Sequence, residues 1–122
     1  MSEYVDGFVI VVPAAKLAAY RKMARQACQV WMEYGALDYR ECVSEDLSVK
    51  CGTPFEKLTK LKSDELIVFA WITYRSKAQR NKINAKVMAD PRIQSMCEQG
   101  EMPCDPKRMS YGGFKTIVAA RA

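Results

Sequence analysis

The sequence of 122 residues contains no histidine, and this absence excludes several kinds of site. Ser-His and Cys-His catalysis, imidazole-ligated haem and the usual zinc hydrolase sites all depend on an imidazole group. Any acid or base in this protein must therefore be a carboxylate, a lysine, a tyrosine or a cysteine.

Cysteine occurs in an odd number and without C-x-x-C spacing, as Cys28, Cys42, Cys51, Cys97 and Cys104. This pattern predicts neither a disulfide framework nor a thiolate zinc site. The acidic residues also lack the spacing of calcium or magnesium ligands. We therefore predict that the protein uses no metal and no cofactor, and that its thiols are free, as in a reducing compartment.

Long hydrophobic runs are missing as well. The run from Phe8 to Pro13 is too short to span a bilayer and follows no basic leader. We predict a cytoplasmic protein that does not enter a membrane.

A composition of 49% hydrophobic and 27% charged residues is typical of a globular domain, here a single one over residues 1–122. The net charge of +5 comes from scattered lysines and arginines, so nucleic-acid binding is not favoured.

The segment from Leu66 to Tyr74 is apolar at nearly every position, which predicts a strand covered on both faces. The chain has enough amphipathic helix to cover one face of a small sheet. We expect a second copy of the chain to cover the other face.

Sequence periodicity predicts an α+β fold with four strands and two main helices. The strands are expected at residues 4–12, 36–44, 66–74 and 107–118, and the helices at 14–34 and 76–89. Gly35 is expected to end the first helix and Ser76 to cap the second. A Thr53–Glu56 capping box predicts a short helix at Phe55, and Asp90-Pro91 predicts a further turn through Cys97.

The resulting order is the ferredoxin-like β-α-β-β-α-β arrangement, a four-stranded antiparallel sheet with both main helices on one face. The other face would carry Val5, Val9 and Val11 together with apolar residues of the third strand. Such a face is too hydrophobic for water, which predicts that two sheets pack face to face in a homodimer. Gly112-Gly113 in the last strand predicts a bulge or a close backbone approach.

Several motifs support a family resemblance. They are Tyr4-Val-Asp-Gly-Phe8, Gly35-Ala-Leu37, Glu41-Cys42, Val68-Phe-Ala-Trp-Ile72, Asp90-Pro-Arg92 and Lys107-Arg-Met-Ser-Tyr-Gly-Gly-Phe114. With them the chain resembles the YbaA-like family of uncharacterised bacterial proteins over nearly its whole length. That family resembles the dimeric α+β barrel superfamily, which includes monooxygenases, haem-degrading enzymes, isomerases and stress-related ligand-binding proteins. The resemblance implies the fold and the dimer, and it transfers no catalytic residue.

Glu41 is the first candidate for chemistry. Its strand register places it on the same face as Tyr39, so an inward orientation would remove a carboxylate from water beside aromatic groups. Arg108 is the candidate partner. In a catalytic interpretation Glu41 is the base and Arg108 holds an anion, whereas a structural ion pair or an edge carboxylate is the alternative.

Aromatic residues are the second candidate set. Trp31, Tyr39, Trp71 and Tyr111 are predicted to line a pocket between helices and sheet that accepts a flat organic ligand. Core packing is the alternative for each of them. Asp6, in a central strand, is expected to need a partner such as Arg108 or a backbone amide.

Three functional hypotheses follow from these residues. The leading one is a homodimer that binds or transforms a small aromatic or organic metabolite without a cofactor, in the manner of a monooxygenase or an isomerase. The second is a ligand-binding or stress-response protein with the same cavity and no turnover. The third, an RNA-binding module, would use Phe69 and Trp71 as base-stacking platforms, but the chain lacks the Lys/Arg-Gly-aromatic-Gly signature.

Overall fold

The computed structural model describes residues 2–98 and 102–122. Within them lies a sheet of four antiparallel strands: β1 (Tyr4–Pro13), β2 (Asp38–Val43), β3 (Glu65–Tyr74) and β4 (Met109–Lys115). The order across the sheet is β2-β3-β1-β4. Both central strands are apolar on both faces, whereas β2 and β4 form the edges. The predicted ferredoxin-like fold is confirmed.

The helices are α1 (Leu17–Glu33), α2 (Phe55–Thr59), α3 (Lys77–Ala89) and α4 (Pro91–Glu98). A 3-10 turn (Ala14–Lys16) precedes α1, and Gly35 follows it with φ of 111°. The predicted cap is confirmed, because only glycine adopts such a φ at little cost. Ser76 also caps α3 as predicted, by accepting a hydrogen bond from the Gln79 amide at 3.2 Å.

Three sequence predictions of helix and strand ends are wrong. Pro54 is the N-cap of α2 and no side chain caps that helix, so the Thr53–Glu56 capping box does not form. Strand β2 begins only at Asp38, because the Ala36 amide closes the end of α1 on the Trp31 carbonyl. The last strand is shorter than predicted at both ends: it ends at Lys115, and the residues before Met109 form a 3-10 turn (Pro106–Arg108), which Asp105 caps through the Lys107 amide.

Helices α1 and α3 contact one face of the sheet, where the hydrophobic core lies, and α4 packs against these two helices. Even-numbered side chains of β1 and β3 point into this core, with Val12 and Tyr74 fully buried. Ile83 and Val87 of α3 are buried in the same cluster as Tyr74, and their inward orientation was predicted. None of the helices in the described part of the chain combines the length and apolarity needed to cross a bilayer.

The opposite face, which we call the open face, carries the odd-numbered residues of β1 and β3. Helix α2 packs at one end of it, where the rings of Phe55 and Phe69 are 6.4 Å apart. The rest is accessible: Phe69 is 47% exposed and Phe114 61%. A shallow hollow of about 710 Å³ extends over this face. It is lined mainly by Val5, Val9, Phe69, Trp71 and Phe114.

Asp6 is buried in β1 and has a charged partner. Arg80 Nε lies 3.2 Å from Asp6 Oδ1, and Asn84 Nδ2 donates to Oδ2 at 3.3 Å. The prediction that Arg108 is the partner is wrong, because Asp6 pairs across the sheet with Gly113, well along β4 from Arg108. Gly113 allows the close approach: a Cβ there would lie 2.8 Å from Tyr4 Cε2 and would also clash with Arg80.

Candidate functional site

A cavity of about 190 Å³ lies between α1 and the sheet. Its helical wall comes from a stripe that runs Tyr20, Ala24, Ala27 and Trp31, spaced at helical intervals of three or four residues. The two alanines leave space between the two aromatic rings. Residues of the sheet, including Phe8, Ile10, Tyr39 and Glu41, complete the enclosure.

Glu41 enters this cavity from β2 and accepts hydrogen bonds from two tyrosines. The Tyr39 hydroxyl donates to Oε2 at 2.7 Å, and the Tyr20 hydroxyl donates to Oε1. No salt bridge joins Glu41 to a lysine or arginine in residues 2–98 and 102–122. The carboxylate is therefore held by neutral donors rather than by a cation.

The two phenol groups remain protonated at all ordinary pH values. Burial raises the pKa of Tyr20, and the hydrogen bond to Glu41 raises it further. Burial also raises the pKa of Tyr39, followed by electrostatic repulsion from Glu41. Because ionised phenolates would repel the carboxylate, both tyrosines act as hydrogen-bond donors and Glu41 as the acceptor.

The prediction that Arg108 pairs with Glu41 is wrong. Arg108 donates to Glu65 Oε2 at 2.8 Å and Oε1 at 3.1 Å, and its Nη2 also donates to the Thr59 carbonyl at 3.1 Å. The physical reason is the strand order, because β2 and β4 occupy opposite edges of the sheet. Arg108 instead ties the end of α2 to the start of β3, and it lowers the pKa of Glu65.

A second hollow, of about 370 Å³, adjoins the cavity beside β2. The two share Tyr20, Ala24 and Glu41. The remaining lining residues of the second hollow are Leu17, Ala18, Arg21, Val43 and Val68. We call this space the outer hollow, because exposed Arg21 and half-exposed Val43 form part of its wall. It connects Glu41 with the protein surface.

Trp31 is held in the cavity wall by polar groups of β3 and α3. Its indole Nε1 lies 3.1 Å from both Tyr74 Oη and Asn84 Oδ1. Tyr74 also donates to Asn84 Oδ1 at 3.0 Å, and Asn84 reaches Asp6. Burial raises the pKa of Tyr74, so its hydroxyl keeps its proton. This network fixes the plane of the indole ring at one end of the cavity.

Residues 3–106 match the family described as "Protein of unknown function (DUF1428)". The chain belongs to the DUF1428 family. The "Uncharacterized protein YbaA" of Escherichia coli strain K12 is 46% identical over 116 residues, covering 95% of this chain and 97% of that relative. The resemblance to YbaA-like proteins is thus confirmed. The DUF1428 match includes the whole Tyr20–Tyr39–Glu41 group and ends before β4.

Solved structures confirm the ferredoxin-like fold of this DUF1428 protein. Rv0793 from Mycobacterium tuberculosis has a TM-score of 0.58 at 16% identity, covering 98% of this chain and 100% of that chain. A dimeric ferredoxin-like protein from an uncultured marine organism has a TM-score of 0.56 at 8% identity and covers 100% of both chains. At such low identities the likeness concerns the fold alone.

Of the predicted pocket residues in this DUF1428 chain, Trp31 and Tyr39 line the cavity together with Glu41. Trp71 does not, because its position in β3 points to the open face, where its Nε1 donates to Asp38 at 3.2 Å. Tyr111 lies on the edge strand β4, is 70% exposed and stacks on Phe8 with ring centroids 5.7 Å apart. The prediction of one pocket lined by all four aromatic residues is therefore wrong.

Tyr20 is the residue of this site that sequence reasoning missed. It lies on the cavity side of α1, in line with Ala24, Ala27 and Trp31. The signal that could have identified the cavity is the pair Ala24 and Ala27, small residues between two large aromatics.

Cys28 and Cys104 lie near the Glu41 carboxylate. Burial, followed by the charge of Glu41, raises the pKa of each thiol.

The described residues contain no group of three or more Cys, Asp or Glu side chains placed to hold a metal ion. Cys42 is exposed on the open-face side of β2. Its neighbour Arg40 on that side pairs with Asp38 at 3.5 Å. The acid–base groups that meet in the cavity through hydrogen bonds are the Glu41 carboxylate and the phenols of Tyr20 and Tyr39.

Proposed function

We propose that this protein binds a small, flat organic molecule in the cavity between α1 and the sheet, and that Glu41 accepts a proton from it without a bound cofactor. The observation that carries this proposal is a carboxylate held by two protonated phenols inside a cavity with a mainly apolar lining. A base held in this way is oriented before any ligand arrives.

The size of the cavity supports a ligand of about one aromatic ring. An engineered apolar protein cavity of roughly 150 Å³ binds benzene, and the inner cavity here is about 190 Å³. The outer hollow offers room for a substituent. Trp31 and Tyr39, with ring centroids 6.1 Å apart, provide faces against which a flat molecule would stack.

The proton transfer is of the kind an isomerase uses. A C–H bond of the ligand breaks, the proton moves to Glu41, and the electron pair is delocalised into the ligand; return of the proton to a different carbon completes the isomerisation. No additional reactant is needed. A cofactor-independent oxygenase would share this first step and would also consume dioxygen.

The test begins with native mass spectrometry of the protein purified from its own host, to find a retained aromatic metabolite. That compound is then titrated into wild-type protein, Glu41→Gln and Glu45→Gln, the last being a matched change of an exposed carboxylate on the following loop. We expect Glu41→Gln to retain affinity and lose turnover, with Glu45→Gln unchanged. Absence of turnover in all three, with binding intact, would favour the non-catalytic ligand-binding alternative.

We further propose that two copies of the chain associate through their open faces. Support comes from the exposed aromatic residues Phe69 and Phe114. Further support is the fold that this chain shares with the dimeric ferredoxin-like protein described above. Covering an apolar face of this extent stabilises a dimer by the hydrophobic effect.

We also expect the protein to be located in the cytoplasm. Its unpaired cysteines fit that reducing compartment.

An RNA-binding sheet is the competing interpretation of the same face. RNA-binding sheets expose aromatic rings among basic residues. Here the hollow over the open face is lined by apolar and small residues, and the nearby Arg40 is paired with Asp38. Sedimentation separates the interpretations, since a face-to-face dimer has twice the mass of a monomer that presents its sheet to RNA.

A further inference from the structure

The outer hollow contains two charged side chains of opposite sign. Glu41 lies at its inner end, where it is shared with the cavity, and Arg21 contributes to the wall from the exposed side of α1. The other lining residues are apolar except for the Tyr20 hydroxyl, which donates to Glu41. The hollow is therefore polarised, with its negative group inside and its positive group toward solvent.

Arg21 has a guanidinium group that is not engaged elsewhere. Within residues 2–98 and 102–122 it forms no salt bridge and no side-chain hydrogen bond. Three other arginines of this chain, Arg80, Arg92 and Arg108, are each paired with a carboxylate. Arg21 is thus a cation beside the candidate site that remains available to a ligand.

Its place on α1 explains why Arg21, and not its basic neighbours, reaches this hollow. Arg21 follows Leu17 by four residues and precedes Ala24 by three, so the three side chains lie on one side of the helix. Lys22 lines a different groove, next to Met96. Arg25 lines neither the cavity nor the outer hollow.

We infer that the ligand of this site is a small organic acid, whose carboxylate binds Arg21 while its apolar body extends past Ala24 toward Glu41. The inference rests on the proposed function and names the class of ligand. Guanidinium groups bind carboxylates through paired hydrogen bonds. A charged group at the solvent side costs little desolvation, whereas the buried end accepts only the apolar part.

This orientation also brings the ligand's apolar body, rather than its charge, to Glu41. A carboxylate placed beside Glu41 would be repelled by a like charge in a medium of low dielectric constant. Anchoring at Arg21 keeps the two anions at opposite ends of the hollow and presents a C–H group to the base. Arg21 thus takes the anion-holding role that the sequence had suggested for Arg108.

The test compares two probes of nearly equal shape, benzoate and benzamide, which differ in charge. Each is titrated into isotope-labelled wild-type protein, Arg21→Gln and the matched control Arg25→Gln, with binding followed by NMR shifts of cavity residues. We expect wild-type protein and Arg25→Gln to prefer benzoate. Arg21→Gln should bind benzoate about tenfold more weakly, the loss of one charge-assisted contact, and should bind benzamide unchanged.

Several outcomes would overturn the inference. Equal affinity of Arg21→Gln and wild-type protein for benzoate would do so, as would equal losses in Arg21→Gln and Arg25→Gln, since the latter indicates only general charge attraction. If both probes bind the cavity equally in every variant, the organic-acid class is wrong while the proposed ligand-binding function stands. If neither probe shifts the cavity residues, the proposed binding of flat aromatic molecules fails as well.

Discussion

The hydroxyl of Tyr20 donates a hydrogen bond to Oε1 of Glu41, and so joins helix α1 to the edge strand β2. Tyr39, two residues from Glu41 on the same strand face, donates to the other carboxylate oxygen. The carboxylate is thereby held between helix α1 and the strand that carries it. Its orientation depends on the packing of α1 as much as on β2.

Removing one phenol hydroxyl should weaken the fold measurably. For Tyr20→Phe we expect a loss of about 2 kcal/mol in the free energy of unfolding, because a hydrogen bond to a charged group is lost at a buried position. Urea unfolding of the variant and of wild-type protein measures this loss of stability. Tyr111→Phe is the matched control: that side chain is exposed, and its change should stay within about 0.5 kcal/mol.

The double variant Tyr20→Phe/Tyr39→Phe tests whether the two donors act together. It leaves the Glu41 carboxylate without either phenol, and an unpaired charge in the cavity is costlier than two separate losses. We expect its destabilisation to exceed the sum of the single variants. Simple additivity would contradict a shared role of the two hydroxyls at Glu41.

Sequence patterns predicted the sheet and its two faces because strand and helix periodicities report directly on burial. The contacts of single polar groups were harder. Arg108 was assigned to Glu41 on charge alone, although the predicted ferredoxin-like order already separates β2 from β4. Tyr20 was missed because the pattern of α1 marks a residue as inward without indicating whether its hydroxyl meets a carboxylate.

The aromatic residues illustrate the same limit. Trp31 and Tyr39 belong to the cavity, whereas Trp71 lies on the open face and Tyr111 at an edge. Alternation in β3 predicts that Trp71 points to the side of the sheet opposite to that of Ala70 and Ile72. It does not predict which of these two sides faces the helices, because both sides of β3 are apolar.

Gly113 should be the least replaceable of the adjacent glycines in β4. In Gly113→Ala the added Cβ would clash with Tyr4 and with Arg80, whose guanidinium is held by Asp6. We expect the free energy of unfolding to fall by about 1–3 kcal/mol, as in other overpacked sites. Gly112→Ala is the control, since its nearest contact would be Phe114 at 3.8 Å. Equal stability of both variants by thermal unfolding would refute the close approach.

A charge placed on the open face should separate the proposed dimer. Phe69→Arg introduces a cation at a site that is already 47% exposed in one subunit, so the fold itself should survive. In a face-to-face dimer the same cation would be buried without a partner. We expect sedimentation velocity to change from dimer to monomer. Met88→Arg, at a 54% exposed position of α3, is the control and should remain dimeric.

Asp90 should make stability depend on pH in the acid range. It joins α1 to α4, because Tyr34 donates to Oδ2 at 2.8 Å and Arg92 Nη2 donates to the same oxygen at 2.9 Å. The Arg92 hydrogen bond, followed by that of Tyr34, holds the pKa of Asp90 well below its usual range. In the unfolded chain the pKa returns to about 3.9.

Because the folded-state pKa is the lower one, this contribution to stability is fully present above about pH 4 and is lost as the pH falls through the folded value. Urea unfolding of wild-type protein between pH 5 and pH 2 should therefore become steadily easier. Asp90→Asn should flatten part of this dependence, since Glu65 and Asp46, whose pKa values are also lowered, keep the remainder. Arg92→Gln, which retains the carboxylate but removes its main partner, should move the loss toward higher pH. The exposed control Glu45→Gln should follow wild type, and a slope in Asp90→Asn equal to that of the control would exclude Asp90 as the source.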